Sequence, residues 1–362
     1  MRAVFETSTI ADAVGKAASV APTKGNNFDK CAGVLFLLDS NGTFTVKATN
    51  LDIFYLQAVN VLETEGQGEW RLPSTIISAM LAKLPIGSGK TVELIQNGNE
   101  VNLLSGRTKC RMRLMDSSYF PQWEGFDPLG LEVIPGLGGK IKMVEWAADT
   151  KGTPPLSGVH LDSTKIIATD RYRVATVPIE ASPIYEPITV PVGIFDPIIK
   201  TMNDVSVGIS QGQFLLMPDA STQIRATIFG DAYPNINRVL KREYPNSFKI
   251  RKSTFIEMID RALVFAQGDR VADLSVYIGR EELAVSMKDA EVGLFGDVTD
   301  IPGYADHKRV ELLFTPTNLT EPLSNAPSEE LICHYNADDA HGSFYIDGGS
   351  GYEAWAQPRK HT

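Results

Sequence analysis

The chain repeats its local patterns with a period of about 120 residues, which limits the folds open to it. "KATNLDI" at Thr49 returns as "IATDRYR" at Thr169, 120 positions later. "TSTIADAVGKAASVA" near the start and "KSTFIEMIDRALVFA" from Lys252 carry apolar residues at i, i+3, i+4, i+7 and i+8, the spacing of an amphipathic helix. A chain of 362 residues has room for three such units. The repeat therefore predicts three similar units.

Each unit combines helices with β-rich runs. A second helix type follows a proline at 72–85, 190–202 and 314–327. Runs such as "GVLFLLD", "KTVELIQ" and "GSFYID" lie between turn residues, as antiparallel hairpins require. We therefore predict an α+β fold with domains 1–128, 129–248 and 249–362, each with two helices on mostly antiparallel sheet. Thr9 with Asp12, and Thr254 with Glu257, are spaced like capping boxes at the starts of the first-type helices.

Composition indicates an ordinary globular protein with an acidic surface. The chain is 43% hydrophobic and 22% charged, with a net charge of −10. An acidic total does not exclude nucleic acid binding, because binding depends on where the positive charges lie. The three cysteines form no CxxC pair, which suits a reducing compartment and indicates no zinc framework. Without an apolar leader or a bilayer-length apolar run, we expect a soluble cytoplasmic protein.

Several segments, taken in order, resemble the bacterial sliding clamp, the β subunit of DNA polymerase III. "ATDRYRVA" (168–175) is similar to the family's A-T-D-x-x-R segment, and "YPNINRVL" (233–240) to its [FY]-P-x-x-x-R-V-L segment. The resemblance spans the whole chain and implies the three-domain DNA clamp fold. It implies a homodimeric head-to-tail ring that encircles duplex DNA without sequence specificity, has no enzyme activity and needs no cofactor. The implied partners are the replicative polymerase, the clamp loader ATPase and a second copy of the chain.

The resemblance also implies a pocket that captures short partner peptides. The residues that match it are Leu156, Thr169, Arg171, Tyr172, Arg173, Val174, Pro234, Arg238, Val239, Gln357, Pro358 and Arg359. Clamps commonly end in M-P-x-R-L, whereas this chain ends in "AWAQPRKHT", so we expect a more polar and cationic pocket edge. The alternative interpretation of "DRYR" is a polar hairpin turn with no partner.

Two further sets of residues follow from the resemblance. The expected DNA-facing cations are Lys16, Lys24, Lys83, Lys151, Lys200, Lys252 and Arg261. At the expected subunit joint, Cys110 and Met112 of one copy face Val264 and Phe265 of the other. The alternatives are solvated lysines on helix faces and apolar residues of an ordinary core.

Two other motifs suggest chemistry of a different kind. "PIGSGKT" (85–91) resembles part of a phosphate-binding loop, but it follows a predicted helix and leads to a strand, which is the reverse of the required order. "CHYNADDAHG" (333–342) holds His and Asp residues, which leaves a three-domain hydrolase with a metal site near 334–341 as the alternative function. A hairpin turn explains the same residues, because Asp and Gly are turn residues and the flanks are strand-like.

Overall fold

The computed structural model describes residues 1–22, 30–180, 182–200, 204–236, 239, 243–265, 273–279, 281–289, 291, 293–301, 309–339 and 341–360. This part of the chain confirms the predicted α+β class, because helices accompany antiparallel sheets. Its α-helices are α1 (Thr7–Val20), α2 (Ser74–Leu81), α3 (Leu137–Val144), α4 (Lys252–Phe265) and α5 (Pro316–Asn325). Short 3-10 helices cover Glu145–Ala147 and Val192–Phe195. None of the helices in these ranges is long and apolar enough to cross a membrane.

Both first-type helices begin earlier than their predicted capping boxes. Helix α1 starts at Thr7 after Glu6, which makes no side-chain cap bond, and α4 starts at Lys252. The predicted boxes at Thr9 and Thr254 are therefore wrong. The physical reason is that the first helical N–H groups find backbone partners elsewhere: Thr7 N donates to Lys90 O at 2.9 Å, and Lys252 N donates to Glu329 O at 2.7 Å.

The second-type segments differ among the three units. Two of them form α2 and α5, and α5 has Pro316 in its first turn and Pro322 inside it. In the third segment, 190–202, the described residues 190–200 contain only the 3-10 helix Val192–Phe195, so the prediction of a full helix there is wrong. A proline at position 197 has no N–H to continue an α-helix, and its ring clashes with the carbonyl four residues earlier. Asp196 N instead donates to Gly193 O, one residue closer than an α-helix requires.

Contacts divide the chain into two compact units, and the first comprises Met1–Gly139 and Val190–Phe229. One of its sheets has the order β5-β1-β7-β8-β9, and the other has the order β10-β15-β16-β17-β4-β3-β2-β6. The strands of the first sheet are β1 (Arg2–Glu6), β5 (Glu63–Glu65), β7 (Thr91–Asn97), β8 (Glu100–Ser105) and β9 (Thr108–Arg113). The strands of the second are β2 (Val34–Leu38), β3 (Phe44–Thr49), β4 (Ile53–Val59), β6 (Gly68–Leu72), β10 (Glu132–Ile134), β15 (Val205–Ser210), β16 (Gln213–Asp219) and β17 (Thr222–Thr227).

The second unit comprises Lys140–Thr189 and Gly230–Thr362. Its sheets have the orders β14-β11-β12-β13-β25-β24-β23-β18 and β21-β20-β19-β22. The strands of the longer sheet are β11 (Gly158–Leu161), β12 (Lys165–Thr169), β13 (Arg173–Pro178), β14 (Ile188–Pro191), β18 (Asn246–Arg251), β23 (Glu330–Tyr335), β24 (Phe344–Asp347) and β25 (Glu353–Ala356). The strands of the shorter sheet are β19 (Leu274–Ile278), β20 (Glu282–Asp289), β21 (Gly293–Asp300) and β22 (Val310–Phe314).

Each unit has an aromatic core between its helices and sheets. In the first unit the Phe5 and Phe44 rings meet edge to face at 4.7 Å, and both side chains are fully buried. In the second unit Phe248, Phe314 and Phe344 belong to one buried cluster that also takes in the stripe of α4. The order strand, helix and three strands opens each third of the chain, in agreement with a threefold repeat. The predicted boundaries at 128 and 248 stay a prediction.

Candidate functional site

The "TDRYR" segment forms a tight turn between β12 and β13, and its own side chains build the turn. The Thr169 hydroxyl donates to Arg173 O at 2.6 Å and accepts from Arg171 N at 3.1 Å. The Asp170 carboxylate accepts from the backbone N–H groups of Tyr172 and Arg173 at 2.9 and 2.7 Å. Threonine and aspartate satisfy backbone groups in this way at turns. The polar turn predicted as an alternative therefore exists, and it presents Arg171 and Tyr172 to solvent.

The same turn occurs 120 residues earlier, between β3 and β4. The Thr49 hydroxyl donates to Ile53 O at 2.7 Å, and Asn50 accepts from Asp52 N and Ile53 N. The third residue of each turn has a left-handed backbone, with φ of 79° at Leu51 and 78° at Arg171. The sequence repeat is therefore a repeat of local structure, down to its hydrogen bonds.

Arg173 is enclosed by an ion-pair network. Its guanidinium contacts the Asp170 carboxylate at 2.7 and 2.9 Å, pairs with Glu321 on α5 and lies 5.5 Å from the Trp146 ring. Only 13% of its side chain is exposed. Arg173 therefore ties the turn to α5, rather than standing open at the rim of a pocket.

An apolar floor lies on the sheet next to this turn. We define it as the buried residues Ile167, Val174 and Trp355, which are 4–6% exposed. Val174 on β13 and Trp355 on β25 are cross-strand partners. The half-buried side chains that cover this floor are Tyr233, Ile236, Val239, Tyr244 and Tyr345. The indole N–H of Trp355 is buried without a hydrogen-bond partner among the described residues, so the floor also contains an unsatisfied donor.

An open cleft of about 450 Å³ lies at the end of β25. We call it the tail cleft; its lining comprises Tyr172, Thr315, Asn318 and residues 357–360. The backbone of the tail is held on both sides, because Gln357 N donates to Tyr172 O at 2.9 Å and Arg359 N donates to Leu313 O at 2.6 Å. The turn, the apolar floor and the tail cleft are consecutive along β13 and β25. Together they form the candidate site.

The structure brings most of the sequence-predicted pocket residues to this region. Val174 and Val239 belong to the floor and its cover, and Tyr172, Gln357, Pro358 and Arg359 line the tail cleft. Pro234 is half-buried next to Tyr233, whereas Leu156 is buried outside the floor cluster. Arg238 lies outside the described residues.

Sequence reasoning missed Trp355, Ile167, Tyr233, Ile236, Thr315 and Asn318. Trp355 and Ile167 could have been found from period-two alternation, because each lies two residues from a residue that was predicted. Thr315 and Asn318 carried no such signal, because they reach the cleft only through the fold. Burial lowers the pKa of His160, whose ring stacks on Tyr233 at 4.4 Å, which favours a neutral imidazole at the edge of this region.

The cations predicted to face DNA fall into two groups. Lys16 pairs with Asp12 at 2.7 Å, Lys252 Nζ donates to Ala326 O at 2.8 Å, and Arg261 pairs with Asp297 at 2.6 Å. Lys83, Lys151 and Lys200 are exposed, with no ion pair to another described residue. Lys24 lies outside the described ranges.

The residues predicted at a subunit joint lie on or near two edge strands. Met112 on β9 is 6% exposed, so it belongs to the core of its own sheet, and Cys110 is half-buried. Val264 at the end of α4 is 79% exposed, and the Phe265 ring lies 6.0 Å from the ring of Phe295 on β21. Strands β9 and β21 each end a sheet among the described strands.

The two motifs that suggested other chemistry have structural explanations. The "PIGSGKT" segment follows α2 and leads into β7, so it lacks the order of a phosphate-binding loop. In "CHYNADDAHG", Cys333 is fully buried in the core and the His334 ring stacks on Tyr345 at 4.8 Å. Asp339 accepts from His341 N at 3.1 Å in the turn between β23 and β24. The described residues contain no group of three or more His, Cys, Asp or Glu side chains that could hold a metal ion, so the hydrolase alternative is not supported.

Comparisons with known proteins give a likeness of structure without a likeness of sequence. No family model matches the chain, and no curated protein sequence matches it significantly. The DNA polymerase III β subunit from Thermotoga maritima is 18% identical with a TM-score of 0.84, and the match covers 100% of both chains. Two further structures also match over the full length of both chains. The β subunit from Pseudomonas aeruginosa is 14% identical with a TM-score of 0.79. The DNA polymerase sliding clamp from Caulobacter crescentus is 16% identical with a TM-score of 0.78. The chain therefore has the DNA clamp fold of the DNA polymerase III β subunits.

Proposed function

We propose that this protein is a replication processivity factor: a homodimeric ring that encircles duplex DNA and tethers the replicative polymerase. In this proposal the chain is a cytoplasmic binding protein without enzyme activity, and its three domains are 1–128, 129–248 and 249–362. The full-length match of fold to three bacterial β subunits supports it.

The observation that carries the proposal is an incomplete pattern of strand pairing. In the first unit β17 pairs with β4, and in the second unit β25 pairs with β13. Each pair joins the last strand of one repeat to the third strand after the first helix of another. The remaining strands of these two kinds are β9 and β21, and both end their sheets in the part of the chain that the structure describes. Unpaired edge strands favour pairing with another chain, so β9 of one copy and β21 of a second copy would complete the pattern.

The charges and apolar residues of the two edges are complementary. Strand β9 exposes Lys109, Arg111 and Arg113. Strand β21 carries the exposed Asp300 and also Asp297, which pairs with Arg261 at 2.6 Å, and it exposes Leu294 and Val298, at 72% and 60%. A cationic edge would therefore meet an acidic edge, while Leu294, Val298 and Val264 become buried. Two such joints per dimer would close a head-to-tail ring.

Peptide tethering is proposed for the apolar floor and the tail cleft. The floor offers buried apolar contact, and half-buried Val239 lies against it. Apolar anchors that fill such a site usually dominate binding. The polymerase and the clamp loader ATPase would use the same site, and would therefore compete for it.

Retention on DNA of different topology tests the function. The native mass should be that of a dimer, and a loader-assembled complex should stay on closed circular DNA. It should leave the same DNA after linearisation, because a sliding ring is held by topology and not by affinity. Direct duplex binding should be weak, independent of sequence and steeply reduced by salt. Tight sequence-specific binding to linear DNA, or a monomer at assay concentration, would contradict the proposal.

A further inference from the structure

We propose that the tail cleft selects partner peptides with an acidic side chain next to their apolar anchor, through Lys360 and Arg359. The inference rests on the proposed peptide-binding function and adds the chemical class of the ligand. A generic apolar pocket would not distinguish an acidic residue from its amide at this position.

The lining of the cleft is cationic in an acidic protein. Tyr172, Thr315, Asn318 and residues 357–360 include two positive side chains and no acidic one. The whole chain carries a net charge of −10. A local positive surface on such a chain attracts negatively charged groups.

The acidic groups on neighbouring elements are already engaged. Asp170 and Glu321 both pair with Arg173, which is largely buried between them. These three side chains keep one net negative charge, which the exposed Arg171 of the same turn balances. Asp273 pairs with Arg359, and both side chains of this pair are about half exposed. An exposed ion pair contributes little stability, so a ligand carboxylate can replace Asp273 at little loss.

Backbone hydrogen bonds hold the two cations in position. The bonds from Gln357 N to Tyr172 O and from Arg359 N to Leu313 O fix the tail between the turn and β22. Lys360 follows directly, is exposed and makes no ion pair with another described residue. A pre-positioned cation loses less conformational entropy on binding than one on a free chain end.

The surroundings favour a peptide over a nucleic acid backbone. Tyr172 and Pro358 supply an aromatic and an apolar surface within the cleft, and Trp355 of the floor lies two residues before Gln357. A peptide can place an apolar side chain against the half-buried cover of the floor, such as Val239, and a carboxylate at Lys360. A phosphate backbone would use the charges and leave this apolar cover without a partner.

Calorimetry with two matched synthetic peptides tests the inference. Both carry two apolar anchors; one has an aspartate after the anchors, and the other has asparagine there. We expect the aspartate peptide to bind the wild type up to about fivefold more tightly at low salt, because the ion pair with Lys360 is new whereas the pair with Arg359 replaces that of Asp273. The preference should vanish near 1 M salt, where the screening length falls to about 3 Å.

Three variants separate the possible outcomes. The double variant Lys360→Glu and Arg359→Glu should still bind the asparagine peptide, and should bind it more tightly than the aspartate peptide. The exposed Lys90→Glu in the first unit should leave both affinities unchanged. Val239→Glu should weaken both peptides equally. If the wild type binds both peptides with one affinity, the inference is wrong and the proposed function stands. If neither peptide binds, both fail, and if a duplex oligonucleotide competes with the aspartate peptide in the cleft, the ligand class is wrong.

Discussion

At the scale of single residues, a buried lysine ties the segment after β9 to the second sheet of the first unit. Lys47 is 7% exposed, and its ammonium donates to Trp123 O at 2.9 Å and lies 5.2 Å from the Trp123 ring. Burial lowers the pKa of Lys47 from its ordinary value of 10.5, and Glu124 and Glu69 partly oppose this effect. Since the unfolded chain then binds the proton more tightly than the folded chain, the contribution of Lys47 to stability rises as pH increases toward 10.5.

Lys47→Met should remove this pH dependence. The free energy of unfolding of the wild type, relative to the variant, should increase between neutral pH and 10.5, with a slope of at most about 1.4 kcal/mol per pH unit. Urea unfolding followed by tryptophan fluorescence at several pH values measures the difference. The exposed Lys90→Met is the matched control. Parallel pH profiles for Lys47→Met and the wild type would contradict the assignment of a lowered pKa.

At the scale of elements, the proposed function predicts that the edge strands β9 and β21 join two copies. Leu294→Lys with Val298→Lys would place two new cations opposite the cationic β9 of a second copy. Both positions are exposed, so we expect the folded chain to be retained and the native mass to fall to that of a monomer. Val133→Lys, at a half-exposed position on the edge strand β10, should leave the native mass unchanged. A dimer of unchanged stability in the double variant would exclude β21 from the joint.

At the scale of the whole molecule, the proposed function requires an acidic protein to keep a few cations free for DNA phosphates. Lys83 and Lys200 are exposed without a described ion pair, whereas Lys252 and Arg261 already have partners. Each free lysine that meets a phosphate contributes about 0.9 to the slope of log affinity against log salt. Lys83→Gln and Lys200→Gln should therefore each make the salt dependence shallower, reducing the magnitude of this slope by about 1, with no change of sequence preference.

Duplex binding titrated at several salt concentrations measures these slopes. Arg261→Gln is the comparison, because it removes a cation whose charge Asp297 already offsets at 2.6 Å. We expect a smaller change in slope for this variant. An equal change for Arg261→Gln would mean that ion pairing within the protein does not separate the DNA-facing cations from the others.

The sequence by itself determined the features that depend on near neighbours in the chain. The apolar stripes of α1 and α4 are buried as their spacing predicts, for example at Ile10, Val14, Phe255 and Ile259. The turn at Thr169 could be recognised because its hydrogen bonds join residues only two to four positions apart. The resemblance of short ordered segments also predicted the fold and most of the candidate site.

Only the tertiary structure decided the features that depend on residues far apart in the chain. Arg173 was predicted as a pocket residue, but Glu321, 148 positions away, pairs with it and encloses it. Trp355 joins the floor because β25 pairs with β13, and Met112 is buried because β9 pairs with β8. Helices α1 and α4 begin earlier than predicted for the same reason, since carbonyls of distant residues accept hydrogen bonds from the first helical N–H groups. Local hydrogen bonds and periodicity depend on residues that are close together in the sequence, whereas burial and strand pairing arise only when the chain has folded.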